Sequence, residues 1–174
     1  FYFPRFFHPD PTVKRQSGFL FPFFTNNTTT GNGFAIPYYW AINNDKDLTF
    51  TPKYYANENA LFLNEYRQAF KNGFLTLDTS YTKGYAETSA SKSGGSRNHI
   101  FAQVDLNLAQ NESYQSDLSL TVQRTANDTF FRIHDINTTL VNAENTNLRN
   151  EINYKYSKND MYLNVSASAF EDLR

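Results

Sequence analysis

The chain's three histidines, His8, His99 and His134, are the first residues to ask for chemistry. They lie far apart, and none has a partner at a metal-ligand spacing such as HxxxH. Each therefore reads as a surface or loop histidine, and no metal site is expected. A nucleophilic hydrolase needs a serine and a histidine within hydrogen-bond reach. His99, beside the serine-rich stretch that ends near Ser96, is the one candidate for that role. Carboxylates are scattered along the chain with no acid/base pair to single out, so they read as charges on wet strand faces. Gly94-Gly95 sits in a polar loop with no following helix, which rules against a phosphate cradle. No catalytic residue and no cofactor follow from these patterns. Arg5, Lys14 and Arg15 form a small basic cluster near the start, a candidate contact for phosphate or acidic lipid head groups. Phe130-Phe131-Arg132-Ile133 interrupts a long polar loop, and such a run is expected to fold inward and pack.

The elements that must carry these residues read as strands. From about residue 46 onward, apolar and polar residues alternate with period two. In 99–110, Ile100, Ala102, Val104, Leu106 and Leu108 share one face, against Gln103, Asp105 and Asn107. The stretches 114–125, 147–157, 160–170 and 74–85 repeat the pattern, while 47–57 and 60–70 are strands of mixed character. Before them lie two aromatic runs, 18–25 and 33–42, with Pro22 and Pro37 near their middles. Proline cannot donate a ladder hydrogen bond, so it belongs on an edge strand, at a bulge or at a strand end. The count is about nine strands. Short polar turns at 43–46, 57–59, 71–73, 110–113 and 158–160 alternate with long polar loops at 86–98 and 126–145.

Composition bounds the reading. Net charge is −1, so no global field favours nucleic acid, and with no cysteine neither a disulfide framework nor a thiolate metal site is available. Mean hydropathy is low, yet 17% of residues are aromatic, which excludes a polar disordered chain. No run of about 18 apolar residues exists, so no transmembrane helix is expected. Long loops on one side, short turns on the other and strands of roughly 10 residues are the habit of outer-membrane barrels. The fold class expected is all-β: an antiparallel outer-membrane barrel wall. A porin-like barrel and a soluble β-sandwich binding module share the alternation and stay open at this point. The chain opens on a strand-like FYFPRFF and stops without a tail, so it is expected to be an internal piece of a longer protein.

Four pieces resemble the LptD family of lipopolysaccharide-assembly (organic solvent tolerance) proteins. DPTVKRQSGFLFP at 10–22 resembles the family's linker into the first barrel strand, and IPYYWAI at 36–42 its second strand. DLTFTPKY at 47–54 resembles the third, and Glu65-Tyr66-Arg67 the EYR/EFR of the fourth. FFRIHDI at 130–136 is similar, more loosely, to a loop motif of some members. The resemblance implies residues 1–17 as the end of a periplasmic jellyroll domain and linker, and 18–174 as the first part of a transmembrane barrel. It implies passage of lipopolysaccharide into the outer leaflet through a lateral gate between first and last strands, with no covalent reaction. The partners implied are lipopolysaccharide, periplasmic bridge proteins, an LptE-like lipoprotein plug and outer-membrane lipids. On this reading Pro22 and Pro37, with Phe19, Leu20 and Phe21, lie at the gate. Two missing ladder donors would lower the cost of parting it.

Overall fold

The computed structural model describes residues 15–86, 94–110 and 114–173. Of the basic cluster, Arg5 and Lys14 lie outside the described residues, as do His8 and most of the 1–17 segment.

Every hairpin expected from the alternation forms. Strand β1 (Gly18–Phe19) is followed by β2 (Phe23–Asn27), β3 (Gly31–Ala35), β4 (Tyr38–Asn43) and β5 (Lys46–Tyr55). Next come β6 (Leu61–Phe70), β7 (Gly73–Thr82), β8 (Arg97–Gln110), β9 (Tyr114–Thr125), β10 (Asn147–Lys158) and β11 (Met161–Asp172). They make one antiparallel sheet of 11 strands. Each of the two proline-bearing runs is split in two, so the chain crosses the wall nine times. The sheet is open: β1 and β2 line one edge and β11 the other.

Two-residue turns at 44–45, 71–72 and 159–160 join neighbouring strands. Asn159 takes a left-handed φ of 48°, which asparagine tolerates better than most residues. Gly73 is demanded by a close approach, because a Cβ there would meet the Asp105 carbonyl oxygen at 2.2 Å. Strands β5, β6 and β7 each have 10 residues, a length that suits a tilted span of a bilayer's apolar core.

The two faces of the sheet differ in kind. One carries Phe50, Tyr54, Ile100, Ile152 and Val165, all at least 36% exposed. A broad exposed apolar band of this sort marks an interaction or membrane surface. The inner face carries Asp47, Thr76, Asp78, Ser80, Thr82 and His99, all buried. What buries its upper half is the segment between β9 and β10. It holds a four-residue helix α1 (Phe130–Ile133), too short to leave a helical periodicity in the sequence.

The principal core lies between this segment and the wall. Phe130, Phe131, Ile136 and Val141 pack with Leu61 and Leu63 of β6 and Phe101 of β8. The inward packing expected of the FFRI run is what the structure holds. It also explains the mixed pattern of 60–70: Leu61 and Leu63 face inward because the segment covers them.

Candidate functional site

The edge hairpin is built around a break. Gly18 pairs with Tyr39 and Phe19 with Tyr38, and pairing resumes at Phe23 with Ala35. Three residues, Leu20-Phe21-Pro22, thus face two, Ile36-Pro37, which is the count of a β-bulge. Across the break a single ladder-type bond remains, from the Leu20 N–H to the Pro37 carbonyl at 2.9 Å. Pro22 and Pro37 therefore end strand segments, and they do not sit inside continuous strands. The backbone yields where both donors are missing, and the extra residue is absorbed there. A third proline joins them. Pro52 of β5 pairs with Phe62 on one side, and its carbonyl accepts from the Ile36 N–H at 3.3 Å on the other. Sequence reasoning passed over Pro52, because a lone proline in DLTFTPKY gives no sign of its alignment with the break. Around the break Phe19 is 76% exposed and Phe21 88%, with Phe19 edge-on to the Tyr38 ring at 5.1 Å.

Below the break the hairpin is pinned. The Asp47 carboxylate, 2% exposed, accepts from the Arg15 guanidinium at 3.0 Å, Arg67 Nε at 2.8 Å and the Tyr39 hydroxyl at 3.2 Å. The segment preceding β1, strand β4 and strand β6 thus meet on one buried charge. Arg15, a candidate head-group contact, is held by this carboxylate.

Above the break the covering segment holds the hairpin and its neighbours. The Asn27 side-chain amide reaches the Ile133 carbonyl at 3.4 Å, and the Tyr55 hydroxyl donates to the His134 carbonyl at 3.2 Å. Beneath it runs a buried polar series. Ser80 Oγ lies 2.5 Å from His99 Nδ1, and His99 Nε2 lies 3.0 Å from Asp78 Oδ1. The Thr138 hydroxyl donates to the other oxygen of Asp78. The register dictates this: Ser80 is directly opposite His99 on β8, and Asp78 is two residues along the same face. The serine partner of His99 is thus on the neighbouring strand, not in the adjoining serine-rich loop.

The order serine–histidine–aspartate is that of an acyl-transfer triad, but the two ring nitrogens have exchanged partners, and the surroundings differ as well. Ser80 is 4% exposed, and the His99 ring is packed at 5.2 Å against both Phe101 and Phe131. The series braces the covering segment against the wall through Thr138. His134, also buried, sits 5.1 Å from the Phe130 ring. Among the described residues no group of three His, Cys, Asp or Glu could hold a metal ion.

The family described as "LptD protein" matches residues 1–172. The chain is 42% identical over 82 residues to the LPS-assembly protein LptD of Shewanella oneidensis, covering 43% of this chain and 11% of that protein. It is 31% identical over 121 residues to the LPS-assembly protein LptD of Nitrosococcus oceani, covering 64% of this chain and 16% of that protein. A match of 56% over 39 residues, 22% of this chain and 5% of the relative, is found with the same protein of Shewanella denitrificans. The matched region is thus a small part of each relative's length. The open wall of alternating strands, with its interrupted edge hairpin, belongs to the LptD protein family.

Proposed function

We propose that this segment forms the first strands of an outer-membrane barrel that inserts lipopolysaccharide into the outer leaflet, and that the proline-interrupted hairpin is one side of its lateral gate. The observation that carries this reading is the three-against-two break at Pro22 and Pro37 on the open edge of a wall of this family. An edge strand tied to the wall by one ladder bond across its middle bends away from the wall at low cost. The exposed Phe19 and Phe21 suit acyl chains and membrane lipid. The polar inner face, with Thr49, Thr51, Gln103 and Asp105, suits the sugars. The relatives are named for lipopolysaccharide assembly, which supports lipopolysaccharide as the cargo. Residues 1–17 lead from a periplasmic jellyroll domain that receives cargo from bridge proteins. An LptE-like lipoprotein occupies the inner face at the turn-rich end. Transport of this kind makes and breaks no covalent bond.

Pro22→Ala in the full-length protein restores a backbone donor on the edge strand, and Pro37→Ala restores one on the strand behind it, inside the hairpin. A net hydrogen bond contributes about 0.5–1.5 kcal/mol, so each variant is expected to tighten the gate by about 1 kcal/mol and slow export. The double variant should be slower still. Surface lipopolysaccharide and sensitivity to detergent and large antibiotics measure this. Wild-type values in both single variants and in the double variant would remove the prolines from the gating role.

A further inference from the structure

Between the covering segment, β2, β5 and β6 lies a cavity of about 390 Å³. Its size falls within the range of small-ligand pockets. It holds a lysine with an unusual environment. Lys53 is 6% exposed, and its ammonium projects to this cavity beside the Phe23 ring, 5.6 Å from the ring centre. Of its three N–H donors, one reaches the Asp135 carbonyl at 3.3 Å. None of the ion pairs among the described residues includes it. Buried lysines are ordinarily paired.

The cavity's carboxylates are already engaged. Asp78 is held by His99 and Thr138. Glu65 is held by Arg67 at 3.8 Å and the Thr139 N–H at 3.3 Å. Asp135 accepts from the neutral Asn137 amide at 2.8 Å, and its charge also acts on the Lys53 ammonium without bonding to it directly. The cation is the group left with donors to spare. Around it stand the Thr25, Thr49 and Thr51 side chains and an aromatic ring. Hydroxyls and an aromatic face suit a sugar, and a lysine ammonium suits its phosphate or carboxylate.

We infer that this cavity is a subsite for an anionic sugar, with Lys53 pairing the sugar's phosphate or carboxylate and Phe23 packing on its ring. The inference rests on the proposed lipopolysaccharide function, because it assigns a place to the charged part of that cargo. Phe23 and Thr25 belong to β2, on the edge hairpin, and Asp135 to the covering segment. A sugar bound here touches the gate strand and the segment above it together. Occupancy therefore biases the hairpin to the extent that its open and closed forms bind the sugar differently.

The test uses the full-length protein with its plug lipoprotein in detergent, titrated with glucose 6-phosphate, glucuronate and glucose by saturation-transfer NMR. One or both charged sugars are expected to bind at least tenfold more tightly than glucose. The arm that binds identifies phosphate or carboxylate as the recognised group. Lys53→Met is expected to lower the charged sugars to the level of glucose, and Lys53→Arg to retain the preference. Equal binding of all three sugars to the wild type overturns the subsite without recourse to a variant, as does an unchanged preference in a folded Lys53→Met protein. Complementation of cells depleted of their own copy separates the two readings. A wild-type copy that fails to restore surface lipopolysaccharide refutes the export function. Restored export with no charge preference refutes the subsite alone.

Discussion

Asp47→Ala in the full-length protein is expected to be the most damaging single change at the base of the edge hairpin, costing about 2–4 kcal/mol. Removing one partner of a buried ion pair typically costs about 3–5 kcal/mol, because the other charge is left without compensation. Here the carboxylate is 2% exposed, but its partners Arg15 and Arg67 are 55% and 36% exposed. Water recovers part of their charge, which lowers the figure. The change also frees the Tyr39 hydroxyl, so three elements lose their common anchor at once. Arg15→Ala removes only the most exposed arm and is expected to cost under about 1 kcal/mol. Asp47→Asn, which can still accept from Tyr39, should fall between them. Urea midpoints of the full-length barrel in phospholipid vesicles measure the order. Asp47→Ala within about 0.5 kcal/mol of wild type, the range of an ordinary surface change, would show that the cluster anchors nothing. The functional consequence follows from position. On the proposed gate reading, a base fixed at Asp47 leaves movement to the part of the hairpin above the break at Pro22 and Pro37.

What could be read in the sequence was what depends on local period. Ile100, Ala102 and Val104 opposed to Gln103 and Asp105 place a strand and its two faces without knowledge of any partner. Turns such as 71–72 and 159–160 follow from polar residues between such runs. Anything that depends on register across strands was hidden. Ser80 and His99 are separated by a loop, and only the pairing of β7 with β8 sets them opposite each other. Asp47 gathers Arg15 and Arg67 from 32 and 20 residues away, and nothing in the local pattern marks it. The inward fate of Phe130 and Phe131 was legible, because two phenylalanines in a polar loop need cover. Their cover was not, because Leu61 and Leu63 looked like noise in a mixed strand. Pro22 and Pro37 were visible as ladder defects. That both fall within one three-against-two bulge, with Pro52 alongside, needed the pairing itself.

Phe131→Ala is expected to release the covering segment from the wall. Phe131 is 2% exposed and packs against the His99 and Phe101 rings at 5.2 and 5.3 Å. Truncating a buried phenylalanine costs about 3–5 kcal/mol. Little else among the bonds holding this segment is as large, since each net hydrogen bond contributes only about 0.5–1.5 kcal/mol. A spin label on Arg132→Cys, placed on the exposed side of α1, reads docking directly. It is expected to be immobile in the parent and mostly mobile with Phe131→Ala. Acid should act in the same direction through His134. Burial is the first cause lowering its pKa below the ordinary value. The Phe130 carbonyl and Glu58 pull the other way, and Lys53 and Arg97 reinforce the fall. The docked segment thus resists a proton that the released segment accepts. Docking is therefore strongest above about pH 6.5, the ordinary histidine value, and weakens as the pH drops below it. The mobile fraction of the label should grow between pH 7.5 and 5.5, and His134→Phe, which keeps a ring but cannot titrate, should flatten that response. A label equally immobile in Phe131→Ala and at both pH values would mean that the segment is held by something other than the aromatic core. In that case the buried series through Thr138, Asp78 and His99 would have to carry the docking by itself.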